Sequence, residues 1–202
     1  KSAHAMEPEK GRNAAVLLAK FLKNELETGV GAEFVRFVTD VFDGDHTGAT
    51  LGFNYYDEMS GETTLNPGIV TFNEKGGAIE VSMRYSVTYP FDEKMTEVQA
   101  HMAETPFILD VAGDSKPHYV PEDDELVQTL LSVYQKHTND FSKVLSTGGG
   151  TYARVLKKGV AFGMLYPGEL DVAHQADEFV VVDNLLKAAA IYAEAIVKLA
   201  SK

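Results

Sequence analysis

At 202 residues and 22.0 kDa, with 45% apolar residues, the chain can build one large domain or two small ones. A net charge of -12 and a pI near 4.9 argue against nucleic acid or an anionic membrane as a main partner, since both are polyanions. There is no cysteine, which excludes disulfides and thiolate metal sites and makes a reducing cytoplasm the expected compartment. No apolar run is long enough to span a bilayer and no signal-peptide pattern is visible. The opening Lys1, Ser2, Ala3, His4 reads as text from within a longer protein.

In chain order, residues 12–27 carry a helical stripe of Val16, Leu17, Phe21, Leu22 and Leu26, ended by Thr28 and Gly29. A second helix is expected over residues 32–42, with Phe34, Val35, Val38 and Val41 on its apolar side. Residues 43–48 are a loop by composition. Strands are expected over 51–56 and 63–73, the latter interrupted by Pro67 and Gly68, and residues 73–77 carry a hairpin signal. Residues 78–87 alternate, with Ile79, Val81, Met83 and Tyr85 on one face and Glu80, Ser82, Arg84 and Ser86 on the other. A helix from Pro90 to Ala103 and a short strand over 107–111 follow. Residues 1–116 therefore read as an α+β layer, an antiparallel sheet with helices on one face.

The polar, turn-forming run 113–117 is the expected boundary. Beyond it, Asp123 or Asp124 can cap a helix to about His137, with Leu126, Val127, Leu130, Leu131 and Tyr134 on its buried side. A strand over 144–147, a helix over 151–157, a strand over 160–162 and a long helix over 183–200 complete an α/β alternation. It has too few strands for a closed α/β domain, so 117–202 reads as an incomplete α/β portion.

Several residues could carry chemistry. Gly148, Gly149 and Gly150 lie at an expected strand-to-helix junction, where bare backbone and a helix N-terminus suit an anion. The same run also suits a tight turn, and it matches neither common nucleotide-binding pattern. His174 could ligate zinc, with Asp177 or Glu178 orienting it, or be an ordinary loop histidine. Arg84 could clamp a carboxylate with its planar fork or be a solvated residue of the sheet face. His4 could donate to a developing oxyanion or be an ordinary terminal residue. His46, His101, His118 and His137 read as surface residues, and the carboxylates over 122–125 as a helix start.

Read together, these segments resemble the dinuclear zinc peptidases, a family of dipeptidases, carnosinases, aminoacylases and carboxypeptidase G, and within it the PepV-like branch. The segments that carry the likeness are 2–8 with 11–14, 118–121, 127–131, 148–154, 159–163 and 191–196. The resemblance implies a metallopeptidase that hydrolyses unblocked dipeptides, Xaa-His or similar, with a water activated by two zinc ions. His4 matches the lid histidine that supports the oxyanion, and Arg84 the lid arginine that holds the substrate's C-terminal carboxylate. Gly148, Gly149 and Gly150 match the glycine loop of that carboxylate site, His174 matches the last zinc ligand, and Glu178 a residue behind it.

The same resemblance implies that residues 1–116 are the second half of a lid domain and residues 117–202 the C-terminal part of the catalytic domain. The other zinc ligands and the general-base glutamate have no counterpart here. The chain alone is therefore expected to be inactive and to bind zinc weakly at most. Two other functions fit the same residues. One is a non-catalytic assembly module that self-associates through the lid segment's unpaired sheet edge. The other is an amino-acid deacylase on the same scaffold.

Overall fold

The structure is a computed structural model that describes residue 1, residues 3–173 and residues 176–201. The described residues form five α-helices and two small antiparallel sheets, and divide into two compact units. The first unit is Lys1–Pro117 with Ser146–Gly149; the second is His118–Leu145 with Gly150–Lys202.

Helix α1, Ala14–Leu22, begins where Asn13 Oδ1 accepts hydrogen bonds from the Ala15 and Val16 amides. It is shorter than the expected 12–27 because the Glu25 and Leu26 amides both turn back to the Leu22 carbonyl, converting the helix into turns. Gly29, at φ 96°, opens helix α2, Val30–Phe42, whose apolar side is buried almost throughout. The expected strand over 51–56 is instead a 3₁₀ turn, Ala49–Leu51, followed by the two-residue strand β1, Tyr56–Asp57. Strand β1 pairs with β2, Gly61–Glu62.

Strand β3, Thr64–Asn73, pairs with β4, Gly76–Arg84, in the hairpin that residues 73–77 announce. The register steps from Pro67 opposite Val81 to Ile69 opposite Glu80, so Gly68 is the extra residue of a bulge beside a proline that cannot donate to the ladder. Helix α3, Phe91–Met102, follows. The core joins Val16 and Ala19 of α1, five apolar residues of α2, Met95, Val98 and Met102 of α3, and Leu65 of β3. Ile79 and Met83 of β4 pack against it, which places the helices on one face of the hairpin. The segment 107–111 forms no ladder; Phe107 is held by its ring, stacked on Phe37 at a centroid distance of 4.0 Å.

In the second unit, Asp124 Oδ1 caps helix α4, Glu125–Thr138, by accepting from the Leu126 amide. Helix α5, Val182–Ala200, packs on it through Leu130, Val133, Ile191 and Ala195. The expected helix over 151–157 is a 3₁₀ turn, Tyr152–Val155. The expected strands over 144–147 and 160–162 are absent, and the described residues of this unit contain no strand, so its local architecture is helical rather than α/β. A parallel strand needs a neighbour to take its backbone hydrogen bonds, and these segments have none. Among the described residues no helix is long and apolar enough to cross a membrane.

Candidate functional site

The amino-terminal segment of the first unit is folded back on itself before α1 begins. The Arg12 amide donates to the Lys1 carbonyl at 2.9 Å, and the Glu7 amide closes a turn onto the His4 carbonyl at 2.9 Å. Inside that turn the Met6 amide donates to His4 Nδ1 at 3.2 Å. Asn13 Nδ2 donates to the Pro67 carbonyl at 2.8 Å, which ties this segment to the bulge of β3.

Arg84 is the last residue of β4 and lies opposite Thr64 in the hairpin. Its Nη1 donates to the Gly148 carbonyl at 3.2 Å. Its Nε is buried and has no hydrogen-bond partner among the described residues, a desolvated cationic donor left uncompensated. Gly148 packs so closely that a Cβ there would lie 3.0 Å from Met6 Cβ. Thr147 Oγ1 accepts from the Gly149 amide at 3.1 Å and turns its hydroxyl toward Met6 Sδ at 3.8 Å. The first unit thus brings His4, Met6, Arg84, Gly148 and Gly149 into one neighbourhood.

The remaining expected site residues belong elsewhere. Gly150 is in the second unit, where a Cβ would lie 2.9 Å from Arg154 Nη1, so the guanidinium covers this glycine. Glu178 is an exposed residue of the second unit. His174 lies outside the described residues. Among the described residues no group of three or more His, Asp or Glu comes together to hold a metal ion. They do not fit zinc as a closed set, since zinc takes at least three protein ligands.

Neither Met6, which lies in the 2–8 segment that carries the resemblance, nor Thr147, just before the glycine run, has a residue type that points to a role. His118 and His137, expected at the surface, are both tied down. His118 Nε2 shares a 2.6 Å hydrogen bond with the Gly159 carbonyl. His137 Nε2 and Lys136 Nζ meet the Glu194 carboxylate at 2.7 and 2.8 Å, and with these partners that carboxyl is held down to about 2. A separate cleft of about 640 Å³ in the first unit is lined by Asp43, Asp45, His46 and Glu62 among others, and contains none of the expected site residues.

Comparison with known proteins places the chain. The family described as Peptidase family M20/M25/M40 matches residues 9–198. The chain therefore belongs to peptidase family M20/M25/M40. It is 45% identical over 200 residues to the Bacillus subtilis (strain 168) protein titled "Putative dipeptidase YtjP", a match covering 98% of this chain and 42% of that protein. It is 34% identical over 200 residues to "Putative dipeptidase SSP1012" of Staphylococcus saprophyticus, covering 98% of this chain and 43% of that protein. A "Putative dipeptidase" of Staphylococcus epidermidis is 34% identical over 197 residues, covering 97% of this chain and 42% of its own length. The chain thus spans about two fifths of the length of these curated relatives.

Proposed function

We propose that these residues are the C-terminal part of a metal-dependent dipeptidase that hydrolyses unblocked dipeptides, with residues 1–116 as lid and 117–202 as part of the catalytic domain. The observation that carries this reading is the Arg84 guanidinium set on Gly148, with one hydrogen bond to its carbonyl and a buried Nε that has no partner among the described residues. A planar fork beside bare glycine backbone suits a carboxylate, here the C-terminal carboxylate of the substrate. Gly148, Gly149 and Gly150 let that carboxylate approach the main chain. His4 donates a hydrogen bond to the carbonyl oxygen as charge develops on it. In the whole protein, two zinc ions, with His174 among their ligands and Glu178 behind it, would supply the activated water. The isolated chain is inactive in this reading, and a cytoplasmic location goes with the absence of cysteine.

The test uses the whole protein and steady-state kinetics. Arg84→Ala should raise KM for dipeptides by tenfold or more, and much less for substrates whose C-terminus is amidated. Equal effects on the two substrate classes would overturn the assignment of Arg84. Chelator-sensitive hydrolysis of a dipeptide by the isolated chain would overturn the division of the site.

A second reading, self-association of the first unit, is favoured by Ile69, Phe72 and Val81, which stand 53%, 47% and 40% exposed on a hairpin whose outer edges have no partner strand among the described residues. Light scattering at rising concentration should show dimer; monomer throughout would dismiss it.

A further inference from the structure

We infer that Met6 is a positioning residue: its backbone holds His4 in one tautomer while its side chain seats the glycine segment beside it. The inference rests on the dipeptidase reading for its consequence in catalysis, but its geometry stands on its own.

A backbone N–H can only donate, so the atom that receives it must be an acceptor. The Met6 amide points at His4 Nδ1 at 3.2 Å, and Nδ1 of a neutral imidazole accepts only when the ring proton is on Nε2. The bond is local, between residues two apart, and the Glu7 amide on the His4 carbonyl closes the same turn. Pro8 then starts a 3₁₀ turn, Pro8–Lys10, which limits the freedom of the chain just beyond Met6. The ring is thereby set with its Nε2–H as a donor, the form that can give a hydrogen bond to a carbonyl oxygen without surrendering a proton.

The side chain of the same residue faces the glycine segment. A Cβ at Gly148 would lie 3.0 Å from Met6 Cβ, tighter than ordinary van der Waals contact, and one at Gly149 would lie 3.6 Å from Met6 Sδ. Thr147 joins the two, accepting from the Gly149 amide and pointing its hydroxyl at the Met6 sulfur. On the other side Arg84 Nη1 holds the Gly148 carbonyl. One residue therefore links the proposed oxyanion donor to the proposed carboxylate cradle, so that a shift of the glycine segment is felt at the histidine.

Long-range ¹H–¹⁵N correlation spectra of the labelled chain, taken where the His4 ring is neutral, read the tautomer directly. The Nε2–H form is expected; a predominant Nδ1–H form, or an even mixture, would overturn the inference. Met6→Pro removes the donor and should convert His4 to a mixture of tautomers. Met6→Ala and Met6→Leu keep the amide and the tautomer, and provide the second measurement should the proline variant not fold. The Gly148 and Gly149 amide resonances should move in the alanine variant and return most of the way in leucine, with β3–β4 resonances unchanged as the control for folding. Glycine resonances that ignore the alanine substitution would also overturn it.

In the whole enzyme Met6→Ala, which keeps the tautomer and loosens the glycine cradle, should raise KM for dipeptides by about tenfold with a smaller change in kcat. If the spectra behave as stated but His4→Ala, which removes the donor, leaves kcat intact, the positioning role of Met6 stands and the dipeptidase role of His4 falls.

Discussion

Gly77 lies under the ring of Phe34: a methyl added at Gly77 would sit 2.3 Å from Phe34 Cε2 and 2.8 Å from Phe72 Cδ2. The two rings are tilted against one another at a centroid distance of 5.0 Å, so neither can swing aside without losing the other. The hairpin turn and helix α2 are locked together at this point. Gly77→Ala should therefore destabilise the first unit by about 1–3 kcal/mol through overpacking. Urea unfolding followed by tyrosine fluorescence measures it, and an unchanged midpoint would contradict the contact.

Asp45 organises the loop that leads out of α2. Its carboxylate accepts from the Thr47, Gly48 and Ala49 amides, the Thr47 hydroxyl and the Thr50 amide at 2.7–3.2 Å. Burial alone would raise its pKa, but the hydrogen bonds from Thr50, Thr47 and Gly48 outweigh burial and bring it down to about 2. An unfolded aspartate titrates near about 3.9. The folded value lies below the unfolded one, so the stabilisation is present above about pH 4 and is lost as pH falls toward 2. Asp45→Asn should cost about 1–2 kcal/mol at pH 7, and the gap between variant and parent should close over that acid window. A gap constant from pH 7 to pH 2 would refute the linkage. Asp57, held low by Ser60 and Thr88 against the opposing effect of burial, should behave in the same direction.

How much of this was legible in the sequence differs by element. Helices α2, α4 and α5 were readable because each carries its own apolar stripe, and α4 also carries its cap at Asp124. The β3–β4 hairpin was readable because its turn and its bulge are local chemistry, glycine and proline at the positions that need them. The strands expected over 144–147 and 160–162 look equally good as text, but a strand is a pairing property and none of the described residues pairs with them. At the candidate site, His4, Arg84 and Gly148 were chosen by family resemblance, and their proximity could not be read from spacings of 80 and 64 residues. Met6 lies inside the 2–8 segment that carries the resemblance, but its part in the site is a backbone amide and a van der Waals surface, which residue type does not announce.

In the second unit the core is narrow. Ile191 is 3% exposed and Val133 is fully buried; Leu130 and Ala195 complete the buried part of this cluster, and the apolar side chains around it, Leu126, Val160 and Phe162 among them, are only partly buried. Ile191→Ala should cost about 2–5 kcal/mol, a large part of what so small a core can supply. Circular dichroism on heating should show an early loss of helix signal; a loss below about 1 kcal/mol would mean that α5 is held by other contacts.

Metal should matter little to the isolated chain. Without three clustered ligands among the described residues, micromolar zinc should shift the melting temperature by no more than about 1 °C, because only a bound ligand stabilises by mass action. A shift of several degrees, reversed by chelator, would show that a zinc site exists within these residues.

Because Ser146–Gly149 folds with Lys1–Pro117, the polypeptide passes between the two units three times rather than once. No single cut separates them cleanly. A clone ending at Pro117 would leave the Arg84 guanidinium without the Gly148 carbonyl and Met6 without the threonine and glycines that cover it. Dissection of this protein by truncation would therefore damage the half it means to preserve, and the four residues must travel with the first unit, joined by a short artificial linker.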